Sequence, residues 1–258
     1  MIIDILTLFP EMFTGPFDSS IIKRAREKNL LNIEITDIRS FSGNKHHTVD
    51  DTPYGGGAGM VMQAPPILRA LDAVRHQRAG SLSRVVLMCP TGLKFDQHWA
   101  RDLAGEEHLV IICGHYEGVD ERVRELAVTD ELSIGDYVLT GGELPAMVVV
   151  DAVSRMISGV LGEKASAEED SFYAGLLEYP QYTRPAECKD LSVPEILLSG
   201  HHENIRRWRR RQSLLKTLER RPDLLHPEAL TDEDRSILQE IVATIYAGIK
   251  VKHPDGFK

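Results

Sequence analysis

Glycine dominates three short stretches whose composition suits ligand binding: PYGGGAGM at 53–60, GHYEG at 114–118 and SIGDYVLTGGELPA at 133–146. Lacking side chains, glycines let main-chain N–H and C=O groups approach a bound molecule closely, the kind of surface that reads an adenine or an amino-acid moiety. The chain has no G-x-x-x-x-G-K-[ST], and no G-x-G-x-x-G follows its first apolar run. Neither familiar phosphate-cradling pattern is therefore supported. GHYEG follows the apolar run HLVIIC at 108–113, and Cys89-Pro90-Thr91-Gly92 closes the run RVVLMC at 84–89. If such runs are parallel strands, the loops gather at their carboxyl ends, where open α/β sheets bind ligands.

A different chemistry is written at 201–221, HHENIRRWRRRQSLLKTLERR. Seven Arg and one Lys stand there against Glu203 and Glu219, a local charge of +6. The whole chain has 30 Lys and Arg against 39 Asp and Glu, or −9, so the remainder carries −15. The acidic average thus hides a segment suited to nucleic acid, since Arg forks match phosphate geometry and Trp208 can stack on a base. Helical spacing of Ile205, Trp208, Gln212 and Leu215 favours the other reading of Trp208, a core anchor with the arginines turned outward.

The elements that would position these residues follow from periodicity. Strands are expected at 2–9, around Ile33, Ile35 and Ile38, at 84–89 and at 108–113, with helices at 19–29, 65–79, 95–104, 119–127 and 143–159. Ser19 reads as the N-cap of the first helix. This alternation predicts an α/β domain with a mainly parallel sheet covered on both faces. After Gly162 a stretch with two prolines and no sustained periodicity reads as a linker; helices return at 193–198, 203–220 and 231–247. The organisation predicted is a main domain at 1–160, a linker at 161–190 and a small all-α domain at 191–258.

With 258 residues, 42% of them hydrophobic, the chain can bury a sizeable core. The apolar run at 146–150 stops at Asp151, far short of the ~18–20 residues of a membrane span. The N-terminus, MIIDILTLFPEMF, has no basic region before its apolar positions and is not read as a secretory signal; a cytoplasmic location is expected. Cys89, Cys113 and Cys188 lack C-x-x-C spacing, which argues for reduced thiols over a disulfide framework or zinc site.

Taken in order, TVDDTPYGGGAGM, CGHYEGVDERV, SIGDYVLTGGELPAM, VSRMISGVLG, EDSFYAGLLEYPQYTRP and LLSGHHENIRRWRRRQSL closely resemble the bacterial tRNA (guanine-N1)-methyltransferase family, TrmD, of the SPOUT class. The resemblance runs from Ile5 to about Leu224. It implies an S-adenosylmethionine site in a deep trefoil knot, a homodimer with active sites at the subunit interface, and a tRNA substrate. The implied product carries a methyl on N1 of the guanosine at position 37, immediately 3′ of the anticodon. An enzyme of the same class acting on another RNA position, and a noncatalytic RNA-binding protein, are the competing readings, because fold alone does not set the substrate.

Carried over by motif, the cofactor site comprises Pro90, Gly92, Gly114, Tyr116, Glu117, Ile134, Gly135, Asp136, Tyr137, Val138, Leu139, Gly141 and Gly142. Asp170, in EEDSF, matches the family's general base, supplied from the partner subunit; Glu168 and Glu169 beside it would raise its proton affinity if the segment closes on RNA. Arg155, in VSRMI, matches the residue that stabilises charge developing on the base. Asp50 and Gly59 are expected to seat the target guanine, Arg207 and Arg210 to hold tRNA, and His46 and His47 to contact RNA or act in a lid. Gln181 is assigned no catalytic role. The family is associated with Mg²⁺, but no spacing here identifies metal ligands, and none are assigned.

Overall fold

A computed structural model of the chain describes residues 1–78, 84–161 and 169–251. They form two compact units, Met1–Lys164 and Ala165–Lys258.

The first unit alternates strand and helix: β1 (Ile2–Thr7), α1 (Ser20–Glu27), β2 (Asn32–Asp37), the short strands β3 (Asp50–Asp51) and β4 (Val61–Met62), α2 (Ala64–Gln77), β5 (Arg84–Lys94), α3 (Gln97–Ala104), β6 (His108–Cys113), α4 (Glu121–Ala127), β7 (Asp130–Ser133) and α5 (Glu143–Met156). The main sheet runs β2-β1-β6-β5-β7, and every pairing in it is parallel. The expected α/β architecture is thus observed.

Why HLVIIC reads as an unbroken apolar run is now plain. Leu109 and Ile111 face the cluster built with α1, α3 and α5, including Ile22, Leu103 and Val149, whereas Val110 and Ile112 face the one built with α2 and α4, including Ile67, Leu71 and Val123. A strand covered on both sides has no polar face to alternate. Each large apolar side chain buried in this way contributes about 1.5–3 kcal/mol.

Boundaries depart from expectation where local hydrogen bonding intervenes. β2 ends at Asp37, whose carboxylate accepts from the Arg39 N–H at 2.8 Å and turns the chain into a 3-10 helix at Ile38–Phe41. Ile38 is buried, but from that helix and not from a strand. Ser19 occupies the N-cap of α1, yet its hydroxyl donates to the Gly15 carbonyl and not to the helix. β5 does not stop at Cys89: it continues to Lys94 with a register shift against β7 between Met88 and Leu93. Pro90, Thr91 and Gly92 therefore form an irregularity within one strand, where a connecting loop was expected. Ala79, the expected end of the second helix, lies outside the described residues.

Asp4 on β1 is 1% exposed. Its carboxylate accepts from Arg78 Nε and Nη2, each at 3.0 Å, and bonds the His108 Nε2 at 2.7 Å. This charge cluster ties β1, the C-terminal end of α2 and the start of β6 together at the edge of the sheet away from the glycine-rich loops.

The second unit contains α6 (Glu195–Leu198), α7 (His202–Arg220) and α8 (Asp232–Val251), with a two-stranded antiparallel ladder of β8 (Glu187–Cys188) and β9 (Leu191–Ser192). Its core comprises Leu176, Leu214, Ile237 and Ile241. Part of the stretch read as linker is folded onto α7. Leu176 is buried, the Leu177 N–H donates to Thr217 Oγ1 at 3.0 Å, and Ser213 Oγ donates to the Leu177 carbonyl. Residues 162–168 of that stretch, Glu168 among them, lie outside the described residues, as do 252–258. Because Ser213, Leu214 and Thr217 form the buried face of α7, the expected anchor Trp208 is only half-buried and stands outside this core.

Arg210 and Asp234 link α7 to α8. The carboxylate is 1% exposed and accepts from Arg210 at 2.6 and 2.8 Å, and from the Thr231 N–H and hydroxyl at 2.9 and 2.8 Å. Burial alone would push the Asp234 carboxyl up; the donors of Arg210 and Thr231 outweigh it and bring it down to about 2. Since the unfolded value is about 3.9, the carboxylate contributes stability above roughly pH 4 and loses it as pH falls through 2. About 2 kcal/mol of the second unit's stability is expected to vanish across that window. Urea denaturation of wild type and Asp234→Asn between pH 6 and 2 checks this; equal pH slopes for the two would show the assignment to be wrong.

Candidate active site

The glycine-rich loops at 114–118 and 133–146 converge at the carboxyl edge of the parallel sheet of the first unit, around a cleft of about 310 Å³. Each loop is shaped by its own sequence. In the loop after β6, Tyr116 adopts a positive φ of 58° and the Gly118 N–H closes a turn on the His115 carbonyl at 3.2 Å. After β7, the Ser133 hydroxyl donates to the Gly135 carbonyl at 3.0 Å and accepts from the Gly135 N–H at 3.2 Å, with Gly135 at φ 153°. That loop returns to the first through an antiparallel bridge between His115 and Gly141 and a 2.7 Å bond from the Gly142 N–H to the Gly114 carbonyl.

Two glycines mark places where chain segments pass at closest range. A Cβ on Gly92 would lie 2.5 Å from the backbone of Glu131 and Leu132, and one on Gly142 would lie 2.8 Å from Cys113 Cα. No side chain fits at either position.

Of the residues expected to hold a cofactor, Pro90, Gly114, Tyr116, Glu117, Ile134, Gly135, Tyr137, Val138, Leu139, Gly141 and Gly142 all line the cleft. Gly92 and Asp136 do not. Gly92 is glycine because β5 crosses β7 there, and Asp136 is exposed outside the lining. Gly59 is brought to the same place: a Cβ there would overlap the Glu117 carboxylate, and the Glu117 N–H donates to the Met60 carbonyl at 3.0 Å. Asp50 sits in the β3–β4 ladder opposite Met62, whose N–H and carbonyl bond Gly118 and Asp120. Periodicity alone could not have joined 50–62 to 114–120.

Sequence reasoning missed several lining residues. Cys89 and Arg124 form one wall with Glu131, which accepts from the thiol at 3.0 Å and from Arg124 Nε at 3.1 Å. Burial alone would raise the Glu131 carboxyl, but these donors hold it below its ordinary value, while burial pushes the Cys89 thiol up. His115 also lines the cleft, its ring 5.0 Å from Phe9 and 5.1 Å from Tyr116. Beneath the floor lies Glu143, 1% exposed at the first position of α5, accepting from the Thr7 hydroxyl at 2.8 Å. Cys113, fully buried, has its thiol well above the ordinary value through burial and then the Glu143 charge. Cys89, Cys113 and Cys188 are all free.

Arg155 lies in the last turn of α5 in the first unit. Asp170 belongs to the second unit, half-buried in a turn where its carbonyl accepts from the Tyr173 N–H at 3.2 Å. His46 and His47 are exposed, and the Asn44 carboxamide caps their turn by accepting from the His46 and Thr48 N–H groups. The two arginines expected at an RNA surface are instead turned to α8: Arg210 pairs with buried Asp234, and Arg207 with Glu240 at 2.7 Å. The Arg210 pair is with a buried carboxylate, whereas the Arg207 pair is exposed on both sides and weak enough to exchange. Among the described residues no group of three or more His, Cys, Asp and Glu could hold a metal ion, and no helix is long and apolar enough to cross a membrane.

A parallel sheet with a backbone-lined cleft at its carboxyl edge defines an α/β ligand-binding domain of the open-sheet type. The family model described as tRNA (Guanine-1)-methyltransferase TrmD matches residues 1–227, and the chain belongs to that family. A tRNA (guanine-N(1)-)-methyltransferase of Desulforamulus reducens is 68% identical over 241 residues, covering 93% of this chain and 95% of its own. Its namesake in Pelotomaculum thermopropionicum is 65% identical over 245 residues, 95% of this chain and 98% of that protein. One from Geobacillus kaustophilus is 57% identical over 241 residues, with 93% and 98% covered.

Proposed function

We propose that this chain methylates N1 of the guanosine at tRNA position 37, with S-adenosylmethionine as donor. The observation that carries the reading is the convergence of eleven of the thirteen residues assigned to the cofactor on one cleft, in a chain of this family. The donor fits the lining: apolar Met88, Ile134, Leu139 and Pro145 suit an adenine, and the close-packed main chain of Gly114, Gly141 and Gly142 offers polar groups without side chains in the way. When bound, the donor supplies an activated methyl on a sulfonium.

The residues then have a defined task. N1 of guanine carries a proton and is a poor nucleophile until that proton leaves, so a general base is required. Asp170, from the second unit of a partner copy, takes this proton in the reading. Negative charge spreading to O6 is met by Arg155, which stabilises the transition state more than the ground state. The cleft fixes the line of sulfur, methyl and N1. Asp50 and Gly59, beside Glu117, seat the guanine.

Three further features belong to this reading. The chain is knotted where the loop after β7 returns past β6, a passage supported by the space-forbidden positions Gly92 and Gly142. It is a homodimer, with Leu144 and Val148 of α5, 50% and 47% exposed, and Val138, 81% exposed, as covered apolar surface. The second domain is a helical tRNA-binding module, and a tRNA substrate places the reaction in the cytoplasm. The described residues offer no cluster for Mg²⁺, and no step here is routed through it.

Transfer of labelled methyl from S-adenosylmethionine to tRNA transcripts with guanosine or adenosine at position 37 tests the proposal. Only the guanosine transcript is expected to be labelled. Equal labelling of both would reassign the target, and no labelling of either would remove the activity.

A further inference from the structure

A second cavity lies wholly within the helical unit and plays no part in the chemistry above. Its volume is about 390 Å³, within the ~300–1,000 Å³ range of small-ligand sites, and its walls include Tyr182, Arg184, Leu198, Trp208 and Arg209. The Tyr182 and Trp208 rings stand 6.4 Å apart at 54°, an open V, not a closed stack. Tyr182 is 48% exposed, so its ring face is available to a ligand.

Arg209 supplies a polar feature with no internal explanation. Its guanidinium lies 4.8 Å over the Tyr179 ring, and its Nε is shielded from solvent without a hydrogen-bond partner among the described residues. The rest of the guanidinium is within reach of a ligand, the Arg209 side chain being 43% exposed.

The charges of α7 divide along the same line. Arg206 pairs with Glu203 and Glu233, Arg207 with Glu240 and Arg210 with Asp234, which neutralises the side facing α8. At the cavity Arg209 approaches a carboxylate no closer than 3.9 Å, that of Glu169, and Arg184 has no ion-pair partner among the described residues. Positive charge that is only weakly paired therefore stands beside the aromatic V.

Aromatic faces next to cations are the recurring means of holding unstacked bases of single-stranded RNA, whose loops can splay a base out of the helix. We propose that this cavity receives one unpaired base of the tRNA, stacked on Tyr182 and Trp208, with the exposed part of the Arg209 guanidinium and Arg184 meeting the base edge and a flanking phosphate. The inference rests on the tRNA reading above and adds a recognition site separate from the methyl-transfer cleft.

The chain has two tryptophans, Trp99 and Trp208, so Trp99→Phe leaves Trp208 as its single indole reporter. Full-length Trp99→Phe is titrated with a tRNA transcript carrying guanosine at position 37, with Trp208 emission and filter retention read together. Saturable quenching in step with binding is expected. Tyr182→Leu, a change outside the buried core, is expected to weaken tRNA binding roughly 5- to 100-fold while S-adenosylmethionine binding stays within about twofold. Unchanged emission at saturation, or wild-type tRNA affinity in Tyr182→Leu, overturns this inference and leaves the tRNA reading standing; the cavity would then be a protein contact or a structural hollow. Failure of the wild-type chain to bind tRNA overturns both.

Discussion

Asp170→Ala is expected to lower the rate of methyl transfer by about 10²- to 10⁴-fold, the contribution typical of a general base, while binding of S-adenosylmethionine changes little. In the proposed mechanism the loss falls in the chemical step, because N1 of guanine must shed its proton before it can attack. Single-turnover transfer at saturating tRNA measures that step apart from product release. Asp170→Asn, which keeps the shape and removes the basicity, is expected to match the alanine variant. Wild-type single-turnover rates in either would take Asp170 out of the reaction. A rate loss accompanied by an equal loss of tRNA affinity would recast it as a binding residue.

Asp4→Ala is expected to destabilise the first unit by about 3–5 kcal/mol, the usual cost of stripping one member from a buried charged group. Asp4, 1% exposed, accepts from Arg78 twice and from His108 once, and its removal leaves a guanidinium 12% exposed in its side chain beside an imidazole 3% exposed. Glu34, 3.1 Å from Arg78, remains as a partial substitute, which argues for the lower half of that range. Guanidinium chloride denaturation gives the number. The cleft proposed for the methyl donor lies at the other edge of the sheet, so the folded fraction is expected to bind S-adenosylmethionine normally. A change below about 0.5 kcal/mol would mean that the cluster is balanced by its desolvation cost and holds nothing together.

Much of this molecule was legible in its residues, for reasons that differ from place to place. HLVIIC and RVVLMC announced doubly covered strands because nothing in them alternates, and glycine clusters announced the cleft because loops that present main chain to a ligand must be poor in side chains. What sequence spacing could not show was the continuation of β5 through Pro90 and Gly92, since both residues ordinarily end a strand and only pairing with β7 keeps the segment extended. The buried face of α7 was misjudged because Ser213 and Thr217 look like surface residues until the Leu177 backbone is seen to need their hydroxyls. The pairing of Arg210 with Asp234 spans 24 positions, beyond the reach of any helical periodicity. Glu143 gave no signal at all: a buried carboxylate at a helix start is indistinguishable in sequence from a solvated one.

The two crossings at Gly92 and Gly142 bear on how such an enzyme can change over time. With backbone on both sides and no space for even a methyl group, the loops at this edge cannot be lengthened, shortened or slid one past another without parting the strands beneath. Sequence change at this edge is thereby channelled into exchange of exposed side chains outside the lining, such as Asp136, and not into loop length. The scaffold around the cleft is in effect frozen, and diversification is left to its periphery.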